Sequence, residues 1–399
     1  MNFPDRETAL FSGLFTFRIK YLRVGRDEFD PGAVHHEEAQ READLRRGQT
    51  DALLRVHRLK HIAAQPRQLS VKNFDGVANR VQHLRRILRY LHQRHLFYFA
   101  PPALVICFAF PKILPDMKQY HDLLKSILAY GSEHSDRTGV GTLSHFGYQT
   151  RFDLRAGFPI VTTKKIPFRW IAEELFWFLS GDTNEANLRA RGVDIWAEWA
   201  DAAHTARFKR QPGDLGPVYG YLWRSFGGRY PERDGVDQIA RLVEAIRLNP
   251  NSRRLLVTGW DPRVCEEVDL PPCHTLFQFK VEAEKILHCQ LYQRSADAFL
   301  GVPFNISSYA LLTHLLAHVC ELEVGEFIYT LGDYHIYQNH LEQVRELLSR
   351  EPLPLPQLEI KDDRGSLQRG LPGLLDMRYE NLNLINYQSH GKITAPVAV

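Results

Sequence analysis

HTLFQFKVEAEKILHCQLYQRSADAFLGVPFNISSYALLTHLLAHVCEL, residues 274–322, carries the fold in its changes of period. From 275 to 281 apolar and polar residues alternate. They alternate again from 286 to 293, the period of half-buried strands, and residues 282–285 can turn between them. From 306 to 322 the chain is apolar over a length strands rarely reach, which predicts a long helix with Asn305 placed near its start. Upstream, RLLVTGW (254–260) is strand-like. Ile239, Leu242, Val243 and Ile246 recur at helical spacing within 237–249, ahead of Pro250. Pro167 can open a helix through Leu179 with Gly181 after it. Tyr120, Leu123, Leu124, Ile127 and Leu128 mark another, ended by Gly131. Helices mixed with hairpin-linked strands predict an α+β fold, with helices packed on a largely antiparallel or mixed β-sheet.

Before residue 117 the character changes. Residues 1–116 hold 19 Lys+Arg and 12 Asp+Glu, a balance of +7, which leaves −4 for the remainder of a chain whose net charge is +3. Seven of the 18 histidines lie there. RVQHLRRILRYLHQR (80–94) could fold as a basic amphipathic helix able to touch RNA or an anionic membrane; a solvated extension is the plainer reading. The apolar run 97–110 is too short for a membrane span and is broken by Pro101 and Pro102. The expected organisation is an irregular, dispensable N-terminal extension (1–116), with Met117 as an alternative initiator, and a catalytic domain (117–399).

Composition narrows the class. The chain is 44% hydrophobic and 24% charged, as soluble globular proteins are. Its five cysteines, Cys107, Cys265, Cys273, Cys289 and Cys320, are odd in number and form no Cys-x-x-Cys pair. That argues against a disulfide framework and a structural zinc site, and fits a reducing, cytoplasmic setting. Most cysteines are small buried apolar residues, but at least one is free to act as a nucleophile.

Cys273 is the candidate. In LPPCHTLFQF two prolines stiffen its approach and a strand follows. A useful thiol nucleophile needs a nearby cation to lower its pKa. The hairpin can return Arg294, in QLYQRS, towards it. Arg137 in SDRTGVGT, Arg253 and Arg254 after Ser252, and Arg294 before Ser295 pair guanidinium forks with hydroxyl donors, a combination suited to phosphate oxygens. Each arginine alone is more often a surface ion-pair residue.

These stretches resemble the thymidylate synthase family over residues 117–399. The motifs are DRTGVGT (136–142), FPIVTTKK (158–165), EELFWFLSGDTN (173–184), GDLGPVYG (213–220), SRR (252–254), PPCH (271–274), QLYQRSADAFLGVPFNISSYALL (290–312), GDYHIYQNH (332–340) and the terminal APVAV. The resemblance implies a thymidylate synthase-like fold and reductive methylation of dUMP to dTMP by 5,10-methylenetetrahydrofolate, which leaves as dihydrofolate. Cys273 resembles the nucleophile that adds to uracil C6. Arg137, Arg294 and Ser295 resemble dUMP phosphate ligands, and Arg253 and Arg254 the pair that reaches the partner subunit's phosphate site, which implies a homodimer. His335 and Tyr337 resemble ribose ligands, and a spacing of two puts both on one side of an extended segment. Asn305 resembles the base reader, able to donate to O4 and accept from N3–H. Asp297 resembles the pterin-holding residue, and Glu174 the residue that organises water and proton transfer. Tyr219 and His274 resemble members of the active-site hydrogen-bond network. Trp196 and Trp199 resemble folate-side packing, core packing being equally open for Trp199. Val399 belongs to a C-terminal segment that closes over the ligands.

The implied chemistry accounts for these parts. Thiolate addition at C6 makes C5 nucleophilic, and hydrogen bonds around O4 stabilise the charge. The folate supplies both the carbon and the hydride, so no NAD, flavin or metal is expected. Residues 202–212 (AAHTARFKRQP) look inserted relative to short family members and are expected to form a surface loop. Ala296 stands where some relatives carry cysteine. Two rivals remain. A deoxycytidylate hydroxymethylase should carry aspartate in place of Asn305. An RNA-binding regulator should have lost parts of the catalytic set.

Overall fold

The computed structural model describes residues 116–362, 365 and 369–398. The basic stretch 80–94, the apolar run 97–110 and Val399 lie outside the described residues, as does Cys107.

α1 (Lys118–Tyr130) buries Tyr120, Leu123, Leu124 and Ile127, the stripe its spacing predicts. Gly131 ends it for a steric reason rather than a left-handed one. Its φ is −66°, and a Cβ there would stand 2.6 Å from the Ile127 carbonyl oxygen. β1 (Ser132–His134) and β2 (Thr142–Asp153) follow. α2 (Phe168–Ser180) starts after Pro167 and ends at Gly181, which takes φ 77° and donates its N–H to Phe178 O. Three short helices come next: α3 (Glu185–Arg189), α4 (Ala202–Ala206) and α5 (Tyr219–Arg224). The inserted stretch was expected to be a loop, but it holds α4, because the Asp201 carboxylate accepts from His204 N and caps the turn.

α6 (Gln238–Leu248) is capped by Asp237, whose side chain accepts from Ala240 N. β3 (Leu256–Thr258) leads on to the hairpin of β4 (His274–Glu282) and β5 (Ile286–Asp297). Its turn puts Ala283 and Glu284 at φ 50° and 58°.

α7 (Gly301–Val319) then begins five residues earlier than the apolar pattern suggests. Pro303 fits its first turn, where no N–H is required, and Asp297 Oδ1 accepts from Phe299 N and Leu300 N just ahead of it. Asn305 therefore sits in the second turn and does not cap the helix. α7 is buried on nearly all sides, which explains its unbroken apolarity. β6 (Glu323–Tyr337), α8 (Leu341–Ser349), β7 (Gln357–Ile360), α9 (Leu371–Asp376) and β8 (Leu382–Ile385) complete the order.

The main sheet has the order β1-β2-β6-β5-β4-β3. It is mixed: every pairing is antiparallel except β5 with β6. Parallel neighbours need a crossover, and α7 supplies it. The crossover brings the C-terminal ends of β5 and β6 side by side, Ser295 opposite Asp333 and Asp297 opposite His335. There Gly332 lets the strands close up, since a Cβ would stand 2.9 Å from Arg294 O and 3.0 Å from the Tyr292 hydroxyl. β7 and β8 form a separate antiparallel pair. Among the described residues no helix is long and apolar enough to cross a membrane.

Candidate active site

Cys273 immediately precedes β4 and is half-buried. Its backbone is held on two sides. Its N–H donates to the Tyr219 hydroxyl at 2.7 Å, and its carbonyl accepts from Arg294 N at 2.9 Å. The hairpin does return Arg294 to the cysteine, but the guanidinium is anchored to backbone. Nε donates to Pro272 O (3.0 Å) and Nη2 to Pro271 O (2.8 Å), while Cζ lies 5.1 Å from the centre of the Trp260 ring. Nη1 has no hydrogen-bond partner among the described residues. The two prolines thus serve twice: they stiffen the approach to the thiol and offer their carbonyls to the arginine.

Burial pushes the Cys273 thiol above its ordinary value, and the pull of Arg294 and the Tyr219 hydroxyl only partly offsets it. The cation is in place, yet the protein alone does not hold a thiolate. Cys289 and Cys320 are buried, with thiols pushed up to about 12 by burial, as inert cysteines are.

Around the thiol lies a buried polar chamber. Tyr219 is 4% exposed, and burial drives its hydroxyl well above the usual range, so it stays protonated. His274 packs between Tyr219 (4.9 Å) and Tyr309 (5.2 Å). Burial lowers its imidazole to about 4, against the opposing effect of Asn305, so the ring is neutral at pH 7. Its Nδ1 is a buried atom without a partner. Glu174, on α2, accepts from the indole Nε1–H of Trp196 at 2.7 Å. Burial raises its carboxyl to about 7, outweighing the Trp196 hydrogen bond. Trp196 in turn packs edge-on to Tyr219 at 6.1 Å and to Trp199 at 6.0 Å. A path therefore runs from Glu174 through Trp196 and Tyr219 to Cys273.

At the far ends of β5 and β6 stand the other candidates. Ser295 follows Arg294 and is half-buried. Asp297 accepts two backbone N–H groups, with His340 Nδ1 at 4.0 Å. His335 Nδ1 lies 2.7 Å from Asp333 Oδ1, and its ring meets Tyr337 edge-on at 5.2 Å. Burial pushes the Tyr337 hydroxyl up to about 12, and Arg137 acts on it in the opposite direction. Arg137 is exposed on a loop closed by Asp136, whose carboxylate accepts from Thr138 and Gly141.

Arg253 and Arg254 are not brought to the thiol. They are exposed just before β3, and Arg253 O accepts from Gln278, five residues along β4 from Cys273. At about 3.3 Å per residue that is roughly 17 Å away. Neither guanidinium, nor that of Arg137, has a hydrogen bond or ion pair among the described residues.

Two residues near the site were missed from sequence. Trp260, beneath Arg294, reads only as the end of a strand. His340 is fully buried against Phe299 and Tyr337, with Nε2 at 2.7 Å from Pro396 O, so it ties the C-terminal segment to the site. Its place in QNH was the only available signal.

A family model described as thymidylate synthase matches residues 118–399. The match spans over two thirds of the chain and every described residue of the chamber. The protein is therefore a dUMP-methylating methyltransferase, and the chain belongs to the thymidylate synthase family.

Proposed function

We propose that the chain makes dTMP by reductive methylation of dUMP with 5,10-methylenetetrahydrofolate, through a bond between Cys273 Sγ and uracil C6. The observation that carries this reading is the pairing of a fixed thiol with Glu174, a buried carboxyl group poised near neutrality in the same chamber. A carboxyl group of that kind can give and take a proton at pH 7.

The roles follow from chemistry. Arg294 uses Nε and Nη2 to fix the proline carbonyls and offers Nη1, with Ser295 and Arg137, to the dUMP phosphate. His335 and Tyr337 bind the ribose from one side of β6. Asn305 reads O4 and N3–H, and the neutral His274 beside it adds no charge that would favour another base. As the Cys273 thiol gives up its proton to water and its sulfur adds to C6, negative charge builds towards O4, where Asn305 and a proton from Glu174 through water stabilise it. Tyr219, protonated at working pH, relays the C5 proton through water rather than acting as an anion.

The family uses methylenetetrahydrofolate, and the residues present fit it. Trp196 and Trp199 form an aromatic wall beside Glu174, and Asp297 offers a carboxylate to a pterin edge. When bound, the folate supplies the one-carbon unit and the hydride. Closure of the C-terminal segment, ending at Val399, would keep water from the reacting centre. We further propose a homodimer in which Arg253 and Arg254 complete the partner's phosphate site. Their remoteness from Cys273 in one chain supports this, as do Phe146 (75% exposed) and Leu256 (42% exposed) on the sheet. We assign the catalytic unit to residues 117–399 and the enzyme to the cytoplasm as part of the same proposal.

The test is Cys273→Ala in the full chain. It should abolish dTMP formation and tritium release from C5-labelled dUMP while the fold and dUMP binding persist. Appreciable dTMP from the purified variant would overturn the covalent reading.

A further inference from the structure

The nucleophile segment is held at its Cys273 end by Tyr219 and Arg294. Further upstream, at Glu267 and Asp269, it is contacted by the inserted stretch that follows the Trp196–Trp199 face. Asp269 lies four residues before Cys273, and its side chain is only 14% exposed. Arg207 Nη1 reaches its Oδ1 at 2.6 Å, and His204 Nε2 lies 3.6 Å from its Oδ2. His204 is itself set by Asp201, which faces Nδ1 at 2.9 Å and caps α4. Two residues earlier, the Glu267 carbonyl accepts from Arg210 Nη1. Arg210 is 12% exposed and packs on Phe208 and Tyr230. Leu270 shares a small cavity with Trp196, Trp199 and Phe208.

An exposed ion pair contributes little. This carboxylate differs, being largely buried, hydrogen-bonded through Oδ1 to Arg207 and faced at Oδ2 by His204, both from the inserted stretch. Between Asp269 and Cys273 stand only Leu270 and two prolines, so a displacement at the carboxylate passes to the thiol with little slack. We propose that Asp269, held by His204 and Arg207 of the inserted stretch, is a positioning residue that sets the placement of the Cys273 thiol. It also ties that placement to the Trp196–Trp199 wall. The inference rests on the reading of Cys273 as the nucleophile. Asp269 touches no reacting atom; it acts through the segment it anchors.

The experiment uses the full chain carrying Asp269→Asn, Asp269→Glu or Arg207→Gln. It reads kcat, KM for dUMP, thermal midpoint, and the rate of Cys273 alkylation by iodoacetamide without ligands, followed on the Cys273 peptide by mass spectrometry. Asp269→Asn should lower kcat about tenfold, since small misplacements of a reacting group are costly. KM for dUMP should stay within about twofold, and alkylation should change at least about threefold. Asp269→Glu should recover most of the lost kcat. Arg207 is exposed, so Arg207→Gln should keep the wild-type midpoint while lowering kcat a few-fold. The proposal is overturned if the Asn and Gln variants keep wild-type kcat and alkylation rates. It is also overturned if kcat falls only in step with the midpoint and Asp269→Glu fares no better than Asn. A wild-type chain that made no dTMP would sink the functional reading alone, because the alkylation rates would still decide the clamp.

Discussion

The indole N–H of Trp196 donates to Glu174 Oε1 across 2.7 Å, yet the carboxyl group it contacts stays protonated to about pH 7. One neutral donor cannot replace the water that an ionised carboxylate loses on burial. The bond therefore fixes the orientation of Glu174 and leaves its proton available.

Glu174→Gln should consequently separate stability from activity. Burial raises the folded-state pKa from 4.5 to about 7. As pH rises from 4.5 to 7 the unfolded chain releases this proton while the folded chain keeps it. Folding stability is thus fully present below pH 4.5 and falls across that window, by about 3 kcal/mol in all. Glutamine keeps an acceptor for Trp196 and carries no such loss. The variant should melt several degrees above wild type at pH 8 and close to it near pH 4.5, while turnover drops about 10²-fold or more. Melting curves at the two pH values check this. Parallel shifts would show that Glu174 ionises like an exposed carboxylate.

Tyr219→Phe removes the acceptor of the Cys273 N–H and, at 3.4 Å, of the His274 N–H. A buried donor left unpaired costs about 1–3 kcal/mol. The thiol also loses a hydrogen bond that favours its ionised form. Alkylation of Cys273 followed against pH should then have its midpoint moved upward, with turnover reduced about 10- to 100-fold. An unmoved alkylation midpoint would place the tyrosine outside the thiol's environment.

The hairpin that carries Cys273 and Arg294 was legible because period two needs only local sequence. The parallel pairing of β5 with β6 was not, since periodicity says nothing about which strand lies alongside. β6 was missed for a related reason: it is largely buried, and its alternation is blurred by Gly325 and Gly332. The residue types of the chamber could be named from motifs, but their protonation states could not. Cys273 illustrates this, for its cation was foreseen while the burial that overrides it depends on Tyr219 and the rest of the chamber. Asn305 shows the same limit in backbone terms. An apolar run marks a helix interior, whereas the true start lay in GVPF, where Asp297 and Pro303 set the first turn.

Asn305→Asp should shift base preference towards cytosine. A carboxyl group can accept from the cytosine amino group and, when protonated, donate to N3. His274 faces this position and already feels Asn305 as a group that raises its basicity, so an aspartate would make the ring more basic still. The kcat/KM ratio for dUMP over dCMP should fall by about 10²-fold or more. A ratio matching wild type would remove Asn305 as the base reader.

The remoteness of Arg253 and Arg254 from Cys273 leads to the last prediction, which concerns assembly. Both guanidinium groups are exposed and unpaired among the described residues, at the start of an edge strand. A phosphate dianion bound beside Arg294 would gain from two more cations, and a second copy could supply them. An Arg253→Ala, Arg254→Ala double variant and a Cys273→Ala variant should each be nearly inactive as homodimers. When their subunits are mixed and exchanged, one of the two sites in each heterodimer combines an intact cysteine with intact partner arginines. The other combines both defects. Random exchange of equal amounts makes half of the dimers heterodimers, so activity should return to about one quarter of wild type. Exchange can be verified independently by mass labelling of one variant. If it is complete and activity stays at the level of the parents, the arginines serve their own subunit or none, and the shared phosphate site is wrong.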